Sequence, residues 1–218
     1  MSPLAANATW KLTVPSIRIA AVAASAKRTR LPAADRRRHL LDSAAEILLE
    51  RGFHALTMES VARRAGVSKG LGYAYFENAQ ALALELYDRE VNELYLRVEA
   101  AVARASDFEA RIRAGVAEYL DVVAERGALI GALEARVQGR WFARAGRRRV
   151  SRLLAFWAKQ IESDLGVPPE EAAALAAAKA SAVDACARAG LRRKLPRAQI
   201  EALCVRFVTG GLLRAGAS

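Results

Sequence analysis

Thr57-Met58-Glu59-Ser60-Val61-Ala62-Arg63-Arg64-Ala65-Gly66-Val67-Ser68-Lys69-Gly70-Leu71-Gly72-Tyr73-Ala74-Tyr75-Phe76 decides how this chain is read. Met58, Val61, Ala62 and Ala65 fall at three- and four-residue steps, so they share one face of a short helix. Thr57 is suited to cap its start and Gly66 to end it, because a hydroxyl satisfies a free helix N–H and glycine accepts a left-handed turn. Ser68 then caps a second short helix reaching about Tyr75, with Val67 packed under the turn. Two short helices joined by Ala65-Gly66-Val67-Ser68 form a helix-turn-helix signature, a geometry that can lay its second helix in a major groove while backbone N–H groups and side chains grip phosphate.

Working outward, an apolar period begins at Asp35 and runs through Leu40, Leu41, Ala44, Ile47 and Leu48 to Arg51-Gly52, giving a helix before the pair. Asn78 caps a long fourth helix with a stripe of Leu84, Tyr87, Val91, Leu94, Val98 and Ala101. Phe108, Ile112, Val116, Tyr119, Leu120 and Val123 mark the next, and Gly127 and Gly139 are read as the ends of a shorter helix over Ala128 to Val137. Residues 140 to 165 form one helix closed by Gly166-Val167-Pro168-Pro169. The last two run from about Glu170 to Ala189 and from Arg197 to Leu213, separated by Gly190 and Pro196. The first of these is small and apolar around most of its circumference, so it must be covered on more than one side. The second carries Ile200, Leu203, Cys204, Phe207, Val208 and Gly211 at helical spacing, and the pair offers faces for close packing. With no strand-like alternation and no internal repeat, the fold class is all-α: a three-helix N-terminal head joined by a long helix to a larger helical body.

The 218 residues carry 34 Lys and Arg against 23 Asp and Glu, a net charge of +11 that points to anionic partners, nucleic acid first. The excess is denser at the front, with twelve basic and six acidic side chains in residues 1–80. Residues 1–34 hold Pro3, Pro15 and Pro32, show no sustained period and end in a basic stretch, which reads as a flexible arm. Its Lys27, Arg28 and Arg30, with Arg36 to Arg38, could reach phosphate or the minor groove; an ordinary solvated basic end, or a misassigned translation start, explains them as well. Ile19 to Ala26 is too short and Ala-rich for a good signal peptide, and no uncharged apolar run approaches the roughly 18 residues that span a bilayer. Cytoplasmic residence without a membrane partner is the expectation.

His39 and His54 have no partner ligand at metal spacing, Cys186 and Cys204 fit no CxxC or zinc pattern, and no GxSxG, Walker or GxGxxG sequence occurs. No metal, cofactor or catalytic constellation is therefore expected. The two thiols read as small buried hydrophobes rather than oxidant sensors. Seven arginines and no acid lie between Arg136 and Arg152, but Phe142, Val150, Leu153, Trp157 and Ile161 share one helical face with Arg144, Arg148, Arg152 and Lys159 opposite, which favours a solvated outer face over an anion site. Tyr95, Tyr119, Trp141 and Phe156, together with Phe142 and Trp157, are candidates to line an effector cavity; core packing accounts for each equally well. Glu134, inside an apolar segment, reads as a surface position.

Leu40-Leu41-Asp42-Ser43-Ala44-Ala45, Arg51-Gly52-Phe53, Leu56-Thr57-Met58, Val61 to Gly70 and Tyr73-Ala74-Tyr75-Phe76, in this order and spacing, make residues 36–86 similar to the TetR family of transcriptional regulators. The resemblance implies a DNA-binding head over residues 35–80 and a helical effector-binding and dimerisation domain over 81–218. It implies a homodimer, here formed through about residues 170–213, on a double-stranded DNA operator with palindromic half-sites, most often as a repressor released by a small-molecule effector. By the same resemblance Thr57 would contact phosphate, Ser68, Lys69, Gly70, Leu71, Ala74 and Tyr75 would lie near DNA, and Tyr73 would brace the helix; Arg38 joins them from the basic stretch. Gly72 stands where the family commonly has Leu, and Ala79 where a phosphate-binding Lys commonly follows. The alternative is a DNA-associated helix-turn-helix protein without an effector, whose body serves only dimerisation or partner binding.

Overall fold

The computed structural model describes residues 32–135 and 142–215. Among them are eight α-helices and a 3-10 turn, with no strand: α1 (Ala33–Arg51), the turn Phe53–Ala55, α2 (Met58–Arg64), α3 (Lys69–Tyr75), α4 (Ala79–Ala103), α5 (Phe108–Glu134), α6 (Phe142–Leu165), α7 (Pro169–Arg192) and α8 (Arg197–Ala215). The chain is all-α. Lys27, Arg28, Arg30, Trp141 and the arginines before Phe142 lie outside the described residues.

The helix starts follow local chemistry. Thr57, Ser68, Asn78 and Asp107 each sit in extended backbone, with the side-chain oxygen accepting from the N–H three residues on, which fills one of the free donors of the first turn. Thr57 and Ser60 cap each other reciprocally, Ser60 N donating to Thr57 Oγ1 and Thr57 N to Ser60 Oγ, both at 3.0 Å.

Two helix ends fall where the glycine signals do not put them. Helix α5 runs through Gly127 without a break, so no separate helix begins at Ala128. A mid-helix glycine costs about 1 kcal/mol relative to alanine, and that cost is offset because Leu129 and Leu133, within the next two turns, are fully buried in the same core cluster as Leu40, Leu86 and Tyr87. Gly190 likewise lies inside α7. It serves close approach instead of separation, since a Cβ there would stand 2.6 Å from Ile200 Cγ1 of α8. The actual reversal comes three to four residues later, with Arg193 as C-cap and Lys194 at φ 56°.

The buried side chains form two clusters. The first gathers α1, α2, Phe76, the opening half of α4 (Leu82, Ala83, Leu86, Tyr87) and the end of α5 (Leu129, Leu133). The second joins Val98 and Val102 of α4, Ile112, Val116 and Leu120 of α5, Trp157 and Ile161 of α6, and the inner sides of α7 and α8. Helices α4 and α5 thus each enter both cores. The α8 positions expected to share a face divide in two: Ile200, Cys204 and Val208 turn inward, while Leu203 is half-buried and Phe207 and Gly211 are exposed.

Candidate nucleic-acid interface

The turn between α2 and α3 closes as a Schellman cap. Val67 N donates to Ala62 O at 2.9 Å, Gly66 N donates to Arg63 O at 3.2 Å, and Gly66 takes φ 65°, which an L side chain adopts only with strain. Behind it Leu56, Met58, Val61, Ala65 and Phe76 are buried in the first core, so α3 is fixed from one side only. Within α3 only Gly72 is buried; it faces α2, with Met58 Cε 3.4 Å from where a Cβ would be.

The other side of α3 is open. Ser68, Lys69, Gly70, Tyr73 and Ala74 are exposed, Leu71 and Tyr75 half-buried, and nothing lies within 4 Å of a Cβ built on Gly70. Thr57 is exposed at the start of α2, its hydroxyl 3.1 Å from Ser60 Oγ. Arg38 is exposed on α1 and holds Asp35 at 2.7 Å. Eight of the nine residues expected near DNA thus flank or lie on α2 and α3 around one surface, and Arg38 lies on the first turns of α1.

Arg36 to Arg38 do not act alike. Arg36 Nη1 donates to Tyr75 Oη at 3.4 Å. Arg37 is turned inward: Nε donates to Glu85 Oε1 at 2.5 Å, Nη2 pairs with Glu85 Oε2, Nη1 donates to Tyr75 O at 3.2 Å, and its guanidinium stands 4.6 Å from the centre of the Phe76 ring. The Glu85 carboxylate raises the Arg37 pKa and keeps it charged. Arg37 ties the end of α3 to α1 and α4, so it leaves the set of side chains free for phosphate. The sequence signal lay in Glu85, seven residues beyond the Asn78 cap, but only tertiary contact pairs it with Arg37.

In the body the aromatic candidates separate. Tyr95 and Phe156 meet edge to face at 6.2 Å, and Phe156 continues to Trp157 at 5.7 Å. Tyr119 instead donates to Asp184 Oδ1 at 2.8 Å, and burial with that carboxylate raises its pKa. Glu134 is exposed as read, with Tyr87 Oη at 3.5 Å, and desolvation raises its pKa. An open groove of about 370 Å³ lies between α5 and α8, lined by Arg113, Val205, Arg206 and Thr209 among others, and Tyr95, Tyr119, Phe156 and Trp157 are not among its lining residues. Cys204 is buried and Cys186 half-buried. Among the described residues no helix is long and apolar enough to cross a membrane, and no His, Cys, Asp and Glu side chains converge as metal ligands. The sequence reading missed Lys179, which interrupts the buried stripe of α7.

Residues 40–86 match the family model described as bacterial regulatory proteins, tetR family. The chain is similar to the HTH-type transcriptional activator FasR of Mycolicibacterium smegmatis, 38% identical over 94 residues, which are 43% of this chain and 43% of that protein. It is also similar to the fatty acid metabolism regulator protein of Bacillus subtilis, 23% identical over 85 residues, 39% of this chain and 44% of that one. The alignments thus span less than half of these relatives. Among solved structures, a putative transcriptional regulator from Pseudomonas aeruginosa PAO1 has the same fold, with a TM-score of 0.73 at 18% identity over 86% of this chain and 95% of that one.

Proposed function

The chain belongs to the tetR family of bacterial regulatory proteins through its head at residues 40–86, and on that premise we propose that it is a dimeric, ligand-responsive regulator that binds a palindromic operator in the cytoplasm. The open side of α3 carries this reading: Ser68, Lys69, Gly70, Tyr73 and Ala74 are exposed on a helix whose opposite side is held by a fixed turn. Lys69 offers charge to phosphate or a guanine edge, Gly70 permits close backbone approach, and the Tyr75 hydroxyl can exchange its long contact with Arg36 for a phosphate oxygen. Thr57 and Arg38 supply further phosphate contacts, Arg38 by releasing the exposed Asp35. Two such helices in a symmetric pair read half-sites about one helical turn apart.

The dimer reading rests on α7 and α8. Phe207 is 65% exposed on α8 beside exposed Gly210 and Gly211, and α7 turns Ala173, Ala174, Ala177, Ala178, Ser181 and Ala185 outward. Small residues permit close helix approach, and an exposed Phe next to them gains by burial against a copy of itself.

Regulation follows from two connections between head and body. Leu129 and Leu133 anchor the end of α5 in the head core, and Arg89 of α4 bridges Asp42 of α1 at 2.5 Å to Glu90 at 3.0 Å, with Arg126 of α5 at 3.7 Å from the same carboxylate. Glu90 is only 4% exposed, so its attraction for Arg89 is less screened than that between Arg89 and the exposed Asp42. An effector that shifts α5 against α4 changes the separation of the paired heads and so the operator affinity. The relative FasR is by name an activator; whether this protein represses or activates follows from where its operator stands relative to the promoter.

Selection of binding sites from random DNA, followed by titration at fixed physiological salt, tests the proposal. Lys69→Ala and Tyr75→Phe are each expected to weaken the selected operator about 5- to 150-fold, the 1–3 kcal/mol of a lost specific contact, with helicity and dimerisation intact. Unchanged affinity in both variants would remove these side chains from the interface, and failure to select any sequence would remove the operator reading itself.

A further inference from the structure

Ala172, Ala176, Lys179, Val183, Ala187 and Gly190 are the buried side of α7. Five of them are small or apolar, and the sixth is a lysine that is only 7% exposed. Its ammonium faces α6, with Nζ 3.4 Å from the centre of the Trp157 ring. That indole is itself wedged against α5 where Gly115 leaves room, since a Cβ on Gly115 would lie 2.5 Å from Trp157 Cζ2. No carboxylate is seen paired with Lys179 among the described residues; Asp184 is held by Arg188 and Tyr119, and Asp164 by Arg111.

An ammonium in such a place is costly. Desolvation of a buried ion costs more than a cation–π contact returns. Lys is almost never fully buried unless paired, so a lysine at the centre of an apolar stripe has an unmet need for an anion. Beyond Trp157 the aromatic wall continues through Phe156 to Tyr95 of α4, and at its far end the Arg152 guanidinium stands 4.1 Å from the centre of the Tyr95 ring. The Lys179 ammonium thus lies at one end of a largely buried row of aromatic rings, with the Arg152 guanidinium at the other.

We propose that Lys179 is the anion-binding residue of the effector site, and that the effector is an apolar molecule bearing one carboxylate, its charge paired with the Lys179 ammonium and its apolar part laid along Trp157, Phe156 and Tyr95. The inference rests on the effector reading above and adds the ligand's chemical class and the residue that selects it. Binding lifts the ammonium off the indole face and supplies the missing counter-charge, so the contact is made between α6 and α7, on the opposite side of α5 from solvent-exposed Arg113 and its neighbours.

Calorimetric titration of the full-length protein with decanoate, decanol and decylammonium, alongside release of the selected operator, tests this. Decanoate is expected to bind at least ten-fold tighter than either decanol or decylammonium. Lys179→Met should lose at least ten-fold in decanoate affinity while decanol binding stays within two-fold, and Lys179→Arg, which keeps the charge, should retain the preference for decanoate and guards against a folding defect in the first variant. Equal decanoate affinity in the parent and Lys179→Met, or no preference for decanoate over decanol, overturns the assignment, as does the absence of decanoate binding. Release of the operator by decanol with decanoate inert would leave an effector site standing without Lys179. Decanoate bound through Lys179 with no change in operator affinity would keep the anion site and remove the effector reading.

Discussion

Gly72 shows how one residue can serve packing against its own propensity. It stands in the middle of α3, where glycine is among the poorest helix formers, yet it is the residue through which α3 rests on α2. A methyl group there would lie 3.4 Å from Met58 Cε, the movable end of a flexible side chain, and 3.7 Å from Ala62 Cβ. Both are ordinary contacts. Gly72→Ala is therefore expected to raise the free energy of unfolding by up to about 1 kcal/mol in urea titration, without loss of operator affinity. A destabilised variant would mean that α2 and α3 are packed more tightly than these distances allow. Gly70→Ala makes the complementary case: no atom of the chain stands within 4 Å of its Cβ, so the same gain in stability is expected, now with weaker operator binding where DNA comes up against that backbone. Equal affinity for Gly70→Ala and the parent would place α3 farther from the groove than proposed.

At the scale of the element, α5 carries more than its sequence announces. The N-caps of α2, α3 and α4 were legible because they are local: Thr57, Ser68 and Asn78 act on N–H groups three residues away, and no distant part of the chain has to be known. The order of the short helices α2 and α3 was readable for the same reason. Gly127 and Gly190 were not, because whether a glycine ends a helix or lies within it depends on what the next turns bury. Past Gly127 those turns bury Leu129 and Leu133 in the core of the head, and at Gly190 the helix meets Ile200. Arg37 and Lys179 escaped for a related reason, since the partner of one and the lack of a carboxylate for the other are set by other helices. Leu133→Ala, at a fully buried site, is expected to cost about 2–5 kcal/mol in urea unfolding and to lower operator affinity although it lies far along the chain from α3. A loss of stability below 1 kcal/mol would show that the end of α5 is not integral to the head, and the proposed route from body to head would then have to run through α4 alone.

For the whole molecule, association and titration each make a distinct demand. A Phe exposed beside α8 glycines gains by pairing, so Phe207→Asp should sediment as a monomer at concentrations where the parent is dimeric and should bind half-sites without cooperation; a variant that remains dimeric would assign association to another surface. The buried Lys179 makes stability depend on pH in a direction that can be worked out. Burial lowers its pKa to about 7 from an ordinary 10.5. Below about pH 7 the amine is protonated in both the folded and unfolded chain, the charge is buried at full cost and the group contributes no slope. Between about 7 and 10.5 the folded chain has released the proton while the unfolded chain keeps it, so unfolding takes up a proton and stability rises with pH, by at most about 1.4 kcal/mol per pH unit. Lys179→Met lacks this group and leaves every other titration in place, so the difference between the two proteins isolates it. In urea unfolding at pH 7, 8 and 9, Lys179→Met is expected to be the more stable protein at pH 7, with the parent gaining on it at each step. A difference that stays constant across the three would show that the amine keeps its proton in the folded chain, as it would if water or an anion already reached it beside Trp157.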